Sequence, residues 1–478
     1  MSKIFYKRPL QGPVADTANT SHSLKRHLGW VQLVVIGIGA IIGAGIFVIT
    51  GKAAAECAGP AVTFSFIIAA LICAVAGLCY AELASMIPSA GGSYAYTFVA
   101  LGELPAWLVG WAVSAQYIFS ASAVASGWAG YVKSFLQDFG IVIADRYSLP
   151  PLAYNMETGW ELTGNFLNVP ALLLVLGVGV LITVGIQAAA RFTNAMVVIK
   201  LCTLALFIAL GVFYIKPENW TPFVPLNTGV FGEFGFSGIL RGAGLVFFAY
   251  VGFDTVATLA QDAISPQRDL PRGILGSLAI STVAYIAVAL VLTGVAYYTT
   301  LSVPDPMAVA LNALGPKFFW ASSVVKAAII AGLASVILVL LLGQSRVLLA
   351  IGEDGLLPKT IAKVHPRFRT PYIAAIGISL ITALFTALFP VEILGQFVSI
   401  VTLFIFAVVC AAVWILRRKH PEHERPFRVP FAPWIPATGL VCCVAQMFFM
   451  PFTVWLQMGA WFALGLLIYF SYGFRRAR

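Results

Sequence analysis

Charge is what this chain lacks. Only 10% of its 478 residues are Asp, Glu, Lys or Arg, where a soluble protein carries about a quarter. With 60% hydrophobic residues and a mean hydropathy of +0.92, that scarcity excludes a water-soluble globule. Histidine is also scarce, at 5 residues. The cysteines stand at 57, 73, 79, 202, 410, 442 and 443, mostly inside apolar runs and without metal-ligand spacing. They read as small core residues, so no metal and no cofactor is expected; Cys57 alone lies where the outside could reach it. No acidic or His-rich cluster and no Ser/His/Asp set at a common depth is present, which argues against an enzyme. Residues 1–29 are polar, and the apolar run after them is too long for the h-region of a signal peptide.

What the chain has is long apolar runs. About twelve segments reach the ~20 residues that span a bilayer. They cover 30–55, 60–86, 104–136, 168–188, 191–215, 237–262, 272–298, 320–350, 371–389, 392–416, 431–450 and 452–473. The expected fold is an all-α polytopic membrane protein of about 12 transmembrane helices in a single domain. The net charge of +10 is unevenly placed. Lys3, Lys7, Arg8, Lys25 and Arg26 precede the first span, and Lys359, Lys363, Arg367 and Arg369 follow the eighth. Arg417, Arg418 and Lys419 follow the tenth, and Arg475, Arg476 and Arg478 close the chain. This is the positive-inside bias, which puts both termini in the cytoplasm. It accounts for the basic residues without a nucleic-acid partner.

Two spans carry glycine where a helix should avoid it. They are Gly37-Ile38-Gly39-Ala40-Ile41-Ile42-Gly43-Ala44-Gly45-Ile46-Phe47 and Gly242-Ala243-Gly244-Leu245-Val246-Phe247-Phe248-Ala249-Tyr250-Val251-Gly252-Phe253-Asp254. Glycine weakens a helix by about 1 kcal/mol relative to alanine, and unwound backbone at membrane depth survives only where it lines a cavity. Unwinding at Gly43-Ala44-Gly45 would offer N–H groups and a positive dipole end to a carboxylate. Unwinding near Phe248-Ala249-Tyr250-Val251-Gly252 would offer carbonyls to an ammonium. The alternative for the first is close helix packing through small residues; for the second, an ordinary aromatic-rich buried helix. Taken together, the pair points to a binding site between two repeats. Repeat one would cover 30–215, repeat two 237–416, and 431–474 would form an accessory hairpin. The oligomeric state stays open. The outer stretch 137–167, with Pro150-Pro151 and an acidic balance, is expected to be ordered only in part.

Polar residues inside the spans are the remaining candidates. Lys200 lies nine residues past Arg191, so ~14 Å into the membrane at the helical rise. A cation at that depth usually marks an ion or proton path, because removal from water disfavours its charged form; the alternative is a permanently paired structural lysine. Asp254 is expected either to contact substrate or to cap the inner half-helix. Gln116 could hydrogen-bond a substrate or another helix. Glu82 and Lys326, near span ends, are expected at the membrane interface.

In order along the chain stand Gly39-Ala40-Ile41-Ile42-Gly43-Ala44-Gly45-Ile46-Phe47, Tyr80-Ala81-Glu82-Leu83 and Pro88-Ser89-Ala90-Gly91-Gly92-Ser93-Tyr94-Ala95-Tyr96. Phe247 to Asp254, Ser265-Pro266-Gln267-Arg268-Asp269-Leu270-Pro271, Gly343-Gln344-Ser345-Arg346 and Asp354-Gly355-Leu356-Leu357-Pro358 follow. From about residue 24 onward this resembles the amino acid–polyamine–organocation superfamily, specifically its cationic amino acid transporter branch. The resemblance implies a LeuT-type five-plus-five inverted repeat, with helices 1 and 6 broken, working by alternating access. It implies an L-amino acid whose carboxylate meets Gly43, Ala44 and Gly45. The ammonium would meet carbonyls near Ile41, Phe248, Ala249 and Val251, under Phe248 as the outer gate. It also implies that Lys200 takes the place of a second sodium ion in proton coupling. The chain departs from the branch in having Gln116 where bacterial members carry glutamate, and Ala44 where they carry threonine or serine.

The expected function is uptake of an L-amino acid with a proton across the cell membrane, of bacterial inner-membrane type. The partners are then the amino acid, protons and membrane lipid. An exchanger without net proton import is the nearest alternative, and sequence does not separate the two. A nutrient-sensing receptor and a channel fit less well, for want of long tails in the first case and of a continuous pore in the second.

Overall fold

In lipid each backbone N–H and C=O must be satisfied within its own segment, so apolar runs of this length fold as helices. A computed structural model describes residues 28–474, apart from 90, 156–158, 185, 261 and 366–369. Basic residues up to Arg26, Arg367 and Arg369, and the C-terminal arginines lie outside the described residues. Eight described segments are long and apolar enough to cross a membrane, and three shorter apolar helices accompany them. The first long segment, Trp30–Met86, holds two expected spans, divided at Gly59, whose φ is +61°.

The spans begin with α1, Trp30–Ile41, whose continuation past the break runs from Gly45 to Ala58. Next come α2 (Val62–Met86), α3 (Glu103–Asp138), α4 (Val169–Val184) and α5 (Ile186–Gly211). The second half has α6 (Gly235–Val246), α7 (Pro266–Val295), α8 (Phe319–Glu353), α9 (Tyr372–Leu388) and α10 (Val391–Lys419). The chain ends with α11 (Trp434–Phe448) and α12 (Phe452–Ile468). The largest departure from the expected bounds is the sixth span. Past Val246 it tightens into a 3₁₀ turn, Phe247–Tyr250, and beyond the break only Thr255–Thr258 is helical.

Packing sorts the helices into two groups. α1, α2, α6 and α7 form one bundle, with α1 and α2 on α7 and α6 on α2. α3 packs on α8, α9 and α10, and α8 packs on α4 and α5. The pattern is preserved when each of the ten helices is exchanged with the one five positions away. α1 on α7 answers α6 on α2, α5 on α8 answers α10 on α3, and α4 on α8 answers α9 on α3.

The last two helices are firmly attached. Trp461 of α12 stacks on Trp111 of α3 with centroids 4.8 Å apart. The two indoles exchange hydrogen bonds with each other's backbone carbonyls at 2.8 and 3.0 Å.

Three local features add to the sequence expectations. The stretch 137–167 contains a hairpin, Leu152–Asn155 against Gly159–Leu162, in which Tyr154 faces Trp160. Edge contact of Trp160 with Phe389 anchors it. Glu82 is buried in the protein, accepting bonds from Arg417 Nε at 2.9 Å and Val429 N at 2.7 Å. Lys326 is likewise buried and donates to Asp138 at 2.8 Å. In each case the partner is remote in sequence.

Candidate functional site

Both glycine-rich stretches are broken. α1 ends at Ile41, the chain turns through Ile42-Gly43-Ala44, and it resumes at Gly45 in a widened, π-type turn, Gly45–Ile49. Such turns recur at functional sites. The restart leaves the first N–H groups of the continuing segment without helical acceptors. The second break runs from Val251 to Asp254, with Gly252 at φ +124°.

The breaks touch, and glycine allows it. A Cβ on Gly45 would lie 2.2 Å from the Ala249 Cα, and one on Gly252 would lie 2.8 Å from the Ala40 carbonyl carbon. A narrow cavity of about 10 Å³, room for about one water, lies beside this crossing, lined by Ala40, Ile41, Gly43, Ala44, Gly45, Phe248 and Val251 from the two broken spans. α3 supplies Ser120 and Val124, and α8 supplies Val336 and Leu340. Six of the residues expected at a substrate site from sequence therefore line one cavity: Ile41, Gly43, Ala44, Gly45, Phe248 and Val251.

The other four candidates stand close behind it. Ala249 forms the crossing with Gly45. Lys200 is fully buried and donates from Nζ to the Gly39 carbonyl at 2.9 Å. Its stem lies over Gly332 of α8, where a Cβ would come within 2.9 Å of Lys200 Cγ. The lysine thus ties α1 to the α5–α8 side. Gln116 donates to Asp254 Oδ2 at 3.0 Å, and the Gly252 N–H reaches Oδ1 at 3.3 Å. Asp254 stands first in the Thr255–Thr258 turn, but its carboxylate does not cap it. No Lys or Arg pairs with it among the described residues.

Sequence reasoning missed Tyr285. From α7 its hydroxyl meets the Ile41 carbonyl at 2.8 Å and the Ala249 carbonyl at 2.9 Å, joining the two breaks. Each carbonyl keeps a second lone pair for another donor. The available signal was a tyrosine in the middle of an apolar span, since a buried phenol needs a partner. Ser120, Val124, Val336 and Leu340 were missed as well; their residue types are common in any transmembrane helix.

Ion pairs tie the two broken spans to the helices around them. Outside the cavity, Lys52 pairs with Glu392 at 3.0 Å, and one turn along α10 Gly395 lies beside the Phe248 ring. On the opposite side Arg346 of α8 pairs with Asp262 at 2.9 Å. Leu28 exchanges backbone bonds with Asp262 and Ile264 there, at 3.0 and 2.9 Å.

Known proteins settle what class of machine this is. Residues 28–469 match the amino acid permease family. The chain belongs to that family, within the amino acid–polyamine–organocation superfamily. It is 40% identical over 472 residues to a methylthioribose transporter of Bacillus subtilis (strain 168), covering 99% of this chain and 98% of that one. A branched-chain amino acid permease, BcaP, of the same organism is 38% identical over 478 residues, with 99% and 98% covered. The vacuolar cationic amino acid transporter 4 of Arabidopsis thaliana is 35% identical over 404 residues, with 84% and 65% covered. This permease is thus a multi-pass membrane protein of an amino acid transport family, and not an enzyme.

Proposed function

We propose that this permease carries neutral L-amino acids into a bacterial cell by proton-coupled symport, with both termini in the cytoplasm. The observation that carries the reading is the crossing of two broken spans at Gly45 and Ala249 beside a narrow cavity. N–H groups at Gly43, Ala44 and Gly45 suit the substrate carboxylate. Carbonyls at Ile41, Phe248, Ala249 and Val251 suit its ammonium, and the Phe248 ring closes the outer side. The side chain then faces Val124, Val336 and Leu340, which favours neutral, apolar groups over cationic ones. Gln116 and Asp254 form a second layer on the cytoplasmic side of the cavity.

The halves 30–215 and 237–416 are read as inverted repeats from the neighbour pattern that recurs five helices apart, with 431–474 accessory to them. In alternating access the Lys52–Glu392 and Arg346–Asp262 ties open in turn. Lys200 couples this motion to protons, because a neutral amine holds the Gly39 carbonyl less strongly than an ammonium does. A charge-assisted bond between α1 and the α5–α8 side therefore depends on one proton.

Uptake of radiolabelled alanine and arginine into sodium-free proteoliposomes, with and without an inward proton gradient, tests this. Gradient-stimulated alanine uptake exceeding arginine uptake is expected. Uptake only against preloaded amino acid, indifferent to the gradient, would make this an exchanger. Competition by methylthioribose alone would overturn the amino acid reading.

A further inference from the structure

The cavity's wall has a single polar side-chain atom. Of the eleven lining residues, only Ser120 ends in a hydroxyl. It is 2% exposed, and its Oγ has no hydrogen-bond partner among the described residues. Serines in transmembrane helices ordinarily give their hydroxyl to the carbonyl one turn back. α3 does this on either side of the site, with Ser114 bonded to Gly110 O at 3.0 Å and Ser122 to Ile118 O at 2.9 Å. Ser120 does not, although the Gln116 carbonyl stands at the same offset. A buried hydroxyl left unpaired costs free energy unless something fills the place.

We propose that Ser120 is a specificity-determining residue whose hydroxyl bonds a hydroxyl on the substrate side chain, so that β-hydroxy amino acids of the threonine kind are preferred over their apolar isosteres. The inference rests on the neutral amino acid reading of this cavity. Its neighbours define the rest of the fit. Val124 lies one turn beyond Ser120 on the same face of α3, and Val336 and Leu340 form a matching turn of α8 across the cavity. A threonine side chain would set its methyl on these apolar groups and its hydroxyl on Ser120 Oγ. Valine has the same shape but would leave that Oγ unpaired. An arginine or lysine would find no carboxylate on this wall.

The test is competition by unlabelled threonine and valine against radiolabelled alanine uptake, for the wild type and for Ser120→Ala and Ser120→Cys. In the wild type threonine should compete better than valine by about 3- to 10-fold, the range of one neutral hydrogen bond. That advantage should vanish in Ser120→Ala and shrink in Ser120→Cys, whose thiol is a weak partner. Monodisperse elution and a thermal melt like the wild type's report that each variant is folded, and the threonine-to-valine ratio is read within each variant. Equal competition by the two in the wild type, or a threonine advantage surviving both variants, would overturn the proposal. If neither amino acid competes in the wild type, the neutral amino acid reading falls first and this inference with it.

Discussion

Three residues on one face of α3 divide the centre of the molecule into two regions. Val124 and Ser120 line the cavity, while Gln116, one turn nearer the start of α3, bonds Asp254 at 3.0 Å. The cavity wall is made of small and apolar side chains against bare backbone. The layer beneath it is polar, with the phenol of Tyr117 3.2 Å from the Thr255 hydroxyl and both the Gln116 Oε1 and the Tyr96 hydroxyl lacking partners among the described residues. The difference teaches that charge in the membrane and contact with substrate are separate properties. Asp254 and Gln116 attract attention because a charge or amide at that depth is costly. The wall that would select a substrate is made instead, Ser120 apart, of apolar side chains and bare backbone.

Substitutions in each region can break that division. The largest effect is expected at the crossing. Gly45→Val places side-chain atoms inside Ala249 and should lower alanine binding by at least ~10- to 100-fold, in line with overpacking a close contact. Retained affinity in scintillation proximity binding would place the crossing elsewhere. Next is Gly332→Val, which crowds the Lys200 stem without removing its amine. Gradient-driven accumulation should fall sharply while counterflow persists, and equal loss of both would deny Lys200 a separate role. Tyr285→Phe keeps the ring but removes the hydroxyl whose single proton is shared between the two carbonyls at the breaks. A ~2- to 10-fold drop in affinity is expected for one bond of ordinary strength, and unchanged affinity would make the bridge incidental. The smallest effect belongs to the lower layer. Gln116→Glu should leave the arginine-to-alanine ratio within about 3-fold, whereas a strong turn toward arginine would bring Gln116 into the pocket.

Much of this was legible in the sequence. Glycines in two apolar runs pointed to both breaks, and it was the pair of runs that favoured breaks over close helix packing. Lys200 stood out as a lone cation, and its acceptor at Gly39 sits within the first glycine-rich stretch. The cavity's far wall was not legible. α8 is apolar around most of its circumference, so Val336 and Leu340 look no different from lipid-facing neighbours until the helix is placed against the breaks. Ser120 stayed hidden for a related reason, since α3 carries several serines and only their hydrogen-bond partners tell them apart. The burial of Glu82 and Lys326 was not legible, because Arg417 and Asp138, their partners, lie far away in the chain.

The most direct test of the account is Lys200→Ala in sodium-free proteoliposomes, with alanine accumulation under an inward proton gradient and alanine counterflow measured on the same preparation. The account predicts that accumulation is lost while counterflow continues, because the site between the breaks survives and only its link to protons is removed. Undiminished gradient-driven accumulation would contradict it.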